Sequence, residues 1–470
     1  MCLPIDFSSP PFRSNLTIFN TFSSVPPSSP PSEVMKFYKA LLSLAALAIP
    51  ALAGAPDGPE SVFNDAGYIE VGEDGHNLFY WMFESRNEPA TDPVLLWMSG
   101  GPGCSSQLAM FGENGPYIVE DDLSLTLNPD SWNNNATVIW IDQPVGTGFS
   151  YGGHVHNEEG VGKDMYDFIH EFLLNKYDGK YKDLDFHVFG ESYAGHYVPA
   201  VSREIVRRNA EAAEGDKINL VGMAIGNGLT DPETQYQGYI PFSEEHGLVS
   251  SATLKFMGGV LDICEPLIHG CNNNDSKGLA WSSCMGALMF CNIGLVTPIQ
   301  ATGINVYDVR EQCEHKPLCY DFDNIDKYLA QDDVLKALGI PDEARWVECN
   351  KGVDIIMQYS GDWMKEFGTA VAEIVAAGVN TLIYAGEYDF ICNWMGNNAW
   401  TLAMDWDGHD DFNKAENKTW TTKDGAEAGS YINHENFTFL KVKDAGHMVP
   451  RDQPANSMDM VRKHFAKEFA

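Results

Sequence analysis

The sequence predicts an α/β protein in which a mostly parallel central sheet is covered by helices on both faces. A disulfide-stapled cap insertion interrupts it. Three observations predict this. Short apolar runs alternate with amphipathic helical stretches, the spacing of strand–helix–strand units. Six of the ten cysteines crowd into one irregular middle segment that breaks the alternation. Ser192, Asp389 and His447 each stand just past the end of an apolar run, and the carboxyl edge of an open sheet is where chemistry is expected.

The elements follow in chain order. Residues 1–34 are rich in Ser, Pro and Asn without periodicity, and are expected to be a disordered or mis-annotated extension. From Met35, Lys36 and Lys39 precede a short apolar run and small residues, so 35–55 reads as a secretory signal peptide. No other run reads as long enough to span a bilayer, and little room is left before Gly67 for a long pro-segment. Residues 56–231 are then expected to form the first part of the core, 232–362 the cap and 363–470 the second part. Within the first part, 68–71 and 78–84 alternate as an antiparallel pair, and Val94-Leu95-Leu96-Trp97-Met98 is a buried strand. It opens onto Ser99-Gly100-Gly101-Pro102-Gly103-Cys104-Ser105-Ser106, whose backbone N–H groups can face a ligand. Residues 137–141 form the next strand. Met165, Phe168, Ile169, Phe172 and Leu173 recur at helical spacing between 161 and 177. Residues 220–225 give a further strand, 363–376 a helix, and 381–386 and 437–442 the last strands, with a loop at 426–431.

The stretch that organises the chain is Phe186-His187-Val188-Phe189-Gly190-Glu191-Ser192-Tyr193-Ala194-Gly195. An apolar strand runs into a helix at 196–208 through a sharp turn. Gly190 and Ala194 flank the serine where larger side chains would collide, so its hydroxyl stands exposed at a strained apex. This is a nucleophile elbow, with Ala in place of the pattern's last Gly. Ser, Asp and His then follow in the order that the α/β-hydrolase fold uses.

Nesting of the cysteines suggests Cys264–Cys291 around Cys271–Cys284, with Cys313–Cys319 as a local loop. Cys104–Cys349 would tie the glycine loop to the cap, leaving Cys392 free; spacing alone does not fix this connectivity. No Cys-x-x-Cys pair favours zinc, and neither metal nor cofactor is expected. Sequons at Asn135, Asn274, Asn417 and Asn436 are compatible with export. The net charge of −36 argues against nucleic acid and anionic membrane surfaces, and suits a soluble protein of an acidic compartment.

These residues resemble the serine carboxypeptidases related to carboxypeptidase Y and cathepsin A. Gly190-Glu191-Ser192-Tyr193-Ala194-Gly195-His196-Tyr197 carries the nucleophile signature, and Trp97 with residues 100–106 the glycine loop. Gly226-Asn227-Gly228, Phe390-Ile391-Cys392-Asn393-Trp394 and Gly446-His447-Met448-Val449-Pro450 match too. The cysteine pairing above agrees with the family pattern, with Cys392 matching its buried free cysteine. The resemblance implies release of C-terminal residues from peptides and proteins at acidic pH. His447 would act as general base and then acid for Ser192, Asp389 would orient His447, and the N–H groups of Gly101 and Tyr193 would hold the oxyanion. Ser99, Gly100, Glu113 and Glu191 would bind the substrate carboxylate. Crowded carboxyls cannot all ionise, so protons are shared and binding weakens as pH rises. Leu229, Tyr236 and Tyr239 would line the pocket for the penultimate residue. Tyr307, Tyr320, Cys392 and Met448 would flank the C-terminal one, an apolar lining that suits hydrophobic residues.

Two departures stand out. Ser99 replaces the family Asn before the glycines, and hydroxyl residues there also occur in an acyltransferase branch. Gly112 stands where the family can carry a bulky residue, which would widen the leaving-group pocket. The alternatives are an acyltransferase or esterase, and a protective or binding subunit with residual activity. Vacuolar, lysosomal or extracellular destinations and the oligomeric state are not written in the sequence.

Overall fold

The structure is a computed structural model that describes Val62, residues 64–72 and residues 75–469. The extension and signal-peptide expectations lie outside these residues. Twelve strands occur among them: β1 (Asn64–Val71), β2 (His76–Phe83), β3 (Val94–Met98), β4 (Tyr117–Val119), β5 (Leu125–Leu127), β6 (Thr137–Ile141), β7 (Phe186–Glu191), β8 (Leu220–Gly226), β9 (Asn380–Gly386), β10 (Lys418–Thr421), β11 (Glu427–His434) and β12 (Phe437–Val442). Ten form one sheet in the order β1-β2-β6-β3-β7-β8-β9-β12-β11-β10, and β4 pairs with β5 apart from it. The pairs β6/β3, β3/β7, β7/β8, β8/β9 and β9/β12 are parallel, whereas β1/β2, β2/β6, β12/β11 and β11/β10 are antiparallel. The parallel centre explains the continuous apolar runs: every residue of β3, β6, β7 and β9 is buried, as strands covered on both faces must be.

Four expectations need correction. The helix expected over 161–177 is regular only at Glu158–His170, continues as a wide turn over Glu171–Asn175, and is stopped by Tyr177 and Asp178 in left-handed conformation (φ 55° for both). The helix expected from 363 is regular only over Gly368–Ala376. The loop expected at 426–431 is part of β11. Gly429 there lies so close to β12 that a Cβ would stand 2.1 Å from the Lys441 carbonyl oxygen. Residues after 232 are not irregular either. Helices Ser251–Asn272 and Lys277–Cys291 pack as a hairpin whose inner face repeats Met257, Val260, Cys264, Ile268 and Cys271.

Lys277–Gln300 is a helical stretch of 24 residues with mean hydropathy 1.6, long and apolar enough to cross a membrane. This corrects the expectation that no run outside 35–55 is long enough to span a bilayer; in the fold two disulfides pin its first part to the neighbouring helix. Buried residues of this hairpin, such as Met257, Cys264 and Leu288, belong to the same hydrophobic cluster as the sheet. The hairpin therefore shares the main core and needs no separate one.

Candidate active site

Ser192 follows β7 with φ 69°, a left-handed conformation that costs a non-glycine residue about 1–2 kcal/mol. Its surroundings hold it there. The Ser192 N–H donates to the Gly226 carbonyl (3.0 Å), and its own carbonyl accepts from Gly195 and Leu229 (both 2.9 Å). Gly190 is required by contact: a Cβ would stand 2.6 Å from the Ala194 Cβ and 2.6 Å from the Met98 carbonyl oxygen. The small residues flanking the serine are thus demanded by the turn itself.

Asp389 follows β9 and His447 follows β12, at the same edge of the sheet as Ser192. His447 Nδ1 and Asp389 Oδ2 are 2.8 Å apart. Asn227 Nδ2 donates to the same oxygen at 2.8 Å, and the Ile391 N–H donates to Oδ1 at 3.0 Å. A carboxylate so supplied holds the histidine with its proton on Nδ1. Nε2 is then the acceptor, buried and without a hydrogen-bond partner among the described residues. The Tyr307 carbonyl accepts from the His447 N–H (2.8 Å), and the Tyr307 ring packs edge-on against the imidazole (5.1 Å). Asn227 carries no role in the sequence reading. Its signal was an Asn between two glycines after a strand, a residue type that tolerates its φ of 44°.

The loop after β3 turns at Gly101 (φ 113°), where a Cβ would lie 2.7 Å from the Cys104 nitrogen. Among the described residues neither the Gly101 nor the Tyr193 N–H donates to a backbone carbonyl. Asp142, fully buried at the end of β6, fixes the far side of the loop. It accepts from Ser105 Oγ (2.6 Å) and from the Ser106 and Phe149 N–H groups (3.0 and 2.9 Å). Burial pushes its carboxyl up to about 6 against those bonds. The Cys104–Cys349 disulfide staples the same loop.

Glu113 and Glu191 are buried and hydrogen-bonded to each other. Desolvation pushes Glu113 up to about 7, and desolvation together with the Glu113 charge holds Glu191 well above the carboxylate range. Their other oxygens, Oε2 of each, have no partner among the described residues. Ser99 Oγ accepts from the Trp97 indole (3.2 Å), which leaves its own hydrogen to donate. The Gly100 carbonyl accepts from the Cys104 N–H (3.1 Å). A cavity of about 430 Å³ opens beside Glu113, bounded by Phe111, Gly112, Phe322, Ile325 and Arg451.

Of the expected pocket residues, Leu229, Tyr236, Tyr239, Tyr307, Cys392 and Met448 are buried. Tyr236 and Tyr239 pack edge-on (5.1 Å), but both hydroxyls are engaged. Tyr236 donates to Asn292 Oδ1 (2.8 Å) and Tyr239 to the Ile391 carbonyl (2.8 Å). Tyr307 and Tyr320 lie 5.8 Å apart. The Cys392 sulfur lies within 4.8 Å of ligand atoms of Asp389 and His447. Four disulfides close, Cys104–Cys349, Cys264–Cys291, Cys271–Cys284 and Cys313–Cys319, and Cys392 takes part in none. Asn274 and Asn417 are exposed and Asn135 half-buried. Asn436 is a poor sequon, because its amide donates to the Val375 and Val379 carbonyls (2.9 and 2.8 Å) and a glycan would displace one of those hydrogens.

Comparison with known proteins adds the family. The serine carboxypeptidase family matches residues 56–467. The carboxypeptidase Y of Candida albicans is 42% identical over 418 residues, covering 88% of this chain and 75% of that protein. The carboxypeptidase Y of Saccharomyces cerevisiae is 42% identical over 405 residues, covering 84% and 74%. Among solved structures, a prohormone-processing carboxypeptidase from Saccharomyces cerevisiae superposes with a TM-score of 0.78 at 24% identity, covering 88% of this chain and 94% of that one, a likeness of fold. The chain belongs to the serine carboxypeptidase family and is a serine-type carboxypeptidase.

Proposed function

We propose that this enzyme releases C-terminal amino acids, hydrophobic ones preferred, from peptides and proteins at acidic pH through an acyl-enzyme on Ser192. The observation that carries the specificity is the buried, mutually hydrogen-bonded pair Glu113 and Glu191, the second of them next to the nucleophile. A buried carboxyl pair that keeps its protons can donate to an anionic chain end; an ionised pair repels it.

Chemistry proceeds from the neutral imidazole. His447 Nε2 takes the Ser192 proton as Oγ attacks the scissile carbonyl. The resulting imidazolium is stabilised by Asp389, itself fixed by Asn227 and the Ile391 N–H. The N–H groups of Gly101 and Tyr193 receive the developing oxyanion, each contributing about 3 kcal/mol to the transition state. His447 returns the proton to the leaving amine, and water repeats the sequence on the acyl-enzyme. Ser99, Gly100, Glu113 and Glu191 hold the departing residue by its carboxylate, and the cavity beside Gly112 accommodates its side chain. The four disulfides and the signal-like 35–55 segment support a secretory-pathway location, vacuolar, lysosomal or extracellular.

The deciding experiment compares a blocked dipeptide with its C-terminal amide. The free acid is expected to react at least about a hundredfold faster in kcat/KM, the effect of leaving a buried donor set unpaired. Equal rates would refute carboxylate recognition and leave an esterase or acyltransferase. Labelling of Ser192 by an organophosphonate separates both from an idle subunit.

A further inference from the structure

Behind the nucleophile elbow lies a second buried titratable cluster that the mechanism above does not use. Three elements supply it. Glu158 starts the helix Glu158–His170, His196 sits in the first turn of the helix Ala194–Glu211, and Asp362 lies in the short turn Asp362–Met364. They are 3%, 0% and 6% exposed. One ligand atom of each lies within 4.8 Å of the others.

Asp362 is the hub. Its Oδ2 accepts the Tyr193 hydroxyl at 2.8 Å and lies 3.5 Å from His196 Nδ1, and its Oδ1 accepts the Glu158 N–H at 3.4 Å. The Glu158 side chain also faces it. Among the described residues no N–H or O–H group reaches either carboxyl oxygen of Glu158, and neither nitrogen of His196 has a hydrogen-bond partner, Nδ1 meeting Asp362 only at ion-pair distance. Two carboxyls that face each other away from water, with no donor between them, need a hydrogen of their own.

The cluster touches the catalytic backbone. Tyr193 is the residue after the nucleophile, and its ring packs at a tilt against His196 (4.6 Å) and Trp363 (5.4 Å). Its hydroxyl bond to Asp362 therefore anchors the residue whose N–H faces the oxyanion. Tyr197, one turn on, brings its hydroxyl beside the Gly103 backbone in the glycine loop.

We propose that Glu158 and Asp362 share one proton, and that this singly charged pair is a positioning device for the oxyanion donors, set through the Tyr193 hydroxyl. Loss of the shared proton places two negative charges behind the elbow, loosens the Tyr193 anchor and lowers kcat at high pH. Burial, and then the Asp362 charge, hold Glu158 well above the carboxylate range, so the proton persists through acidic conditions. The other groups facing the pair are His196, 3.5 Å from Asp362 Oδ2, Tyr193 and Tyr197, whose hydroxyls burial keeps protonated, and Lys365, whose Nζ donates to the Cys271 carbonyl at 2.6 Å; the Asp354 carboxyl, from the helix Lys351–Ser360, acts on Tyr197. Glu113 and Glu191 are a separate pair. They act on binding of a free carboxylate, whereas this pair acts on the chemical step.

The inference rests on Ser192 as nucleophile and Tyr193 as oxyanion donor, and its test avoids carboxylate recognition altogether. A blocked amino-acid ester, which has no free carboxylate, is hydrolysed by wild type, Glu158→Gln, Asp362→Asn and Glu158→Ala across the pH range, with active sites counted by acylation burst. Both amide variants carry a fixed hydrogen and cannot ionise. Their alkaline kcat limb is expected to move up by about one pH unit or more, with KM little changed. Glu158→Ala is expected to lose about tenfold or more in kcat across the whole range, with no shift of the limb.

An alkaline limb that superimposes on wild type in both amide variants overturns the proposal. So does failure of both to fold, because an amide supplies the same hydrogen as the shared proton. One equivalent of metal ion in the purified enzyme, lost in Glu158→Gln, overturns it as well. If Ser192 were not the nucleophile, the wild-type burst itself would be missing, a different failure.

Discussion

Replacing Glu113 by Gln separates the ionisation of the proposed carboxylate-binding pair, Glu113 and Glu191, from its hydrogen bonding. In the wild type the Glu113 carboxyl, pushed up to about 7 by burial, stays neutral throughout the acidic range. Above that pH it ionises, and a negative charge then faces the substrate carboxylate. One pH unit above its pKa only about a tenth of the enzyme keeps the proton, so KM for a blocked dipeptide is expected to rise about tenfold, or about 1.4 kcal/mol. The amide of Glu113→Gln still donates but cannot ionise. Its KM is expected to be about two- to fivefold worse at pH about 5 and nearly level from there to pH about 8. The assay is initial-rate hydrolysis at fixed ionic strength, with ester hydrolysis of the same enzyme correcting for losses in the chemical step. Parallel KM profiles for wild type and variant would refute the reasoning, as would a wild-type KM that does not change across the neutral range.

Three further outcomes follow from the same structure. Glu113, Glu191, Glu158, Asp142, Glu348, Asp354 and Asp452 are all held above their ordinary values, chiefly by burial. The unfolded chain releases these protons near pH 4 while the folded chain keeps them, so stability is greatest in acid and is lost as pH rises to about 7; thermal melts should fall between those values. Asn227→Ala removes one donor from Asp389 and is expected to lower kcat about tenfold to a hundredfold with little change in KM, measured by steady-state kinetics. Gly190→Ala drives a methyl against Ala194 and the Met98 carbonyl and is expected to cost about 1–3 kcal/mol in chemical denaturation, with loss of the burst.

What the sequence made legible was set by how each element is stabilised. β3, β6, β7 and β9 are buried along their whole length, so composition alone marks them. β11 is held by its neighbour β12, and its residues Ala428, Gly429 and Ser430 carry little strand propensity. The hairpin of Ser251–Asn272 and Lys277–Cys291 was obscured by its own cysteines, which occupy buried helical positions that would otherwise carry Leu or Ile. In the site, Ser192, Asp389 and His447 announce themselves by ending strands in the right order. Asn227 and the pair Glu158 and Asp362 do not, because their roles exist only through partners distant in the chain. Glu158 and Asp362 are 204 residues apart.

The bond between Cys104 and Cys349 has a consequence for synthesis. The two cysteines are 245 residues apart, and at about 5–20 residues per second the second leaves the ribosome roughly 12–50 seconds after the first. Asp389 and His447 emerge later still. A nascent chain that already displays Ser192 therefore still lacks the tether of the Gly101 loop and the residues Asp389 and His447. The site proposed here is thus assembled late in synthesis, and its longest covalent tie forms only under oxidising conditions.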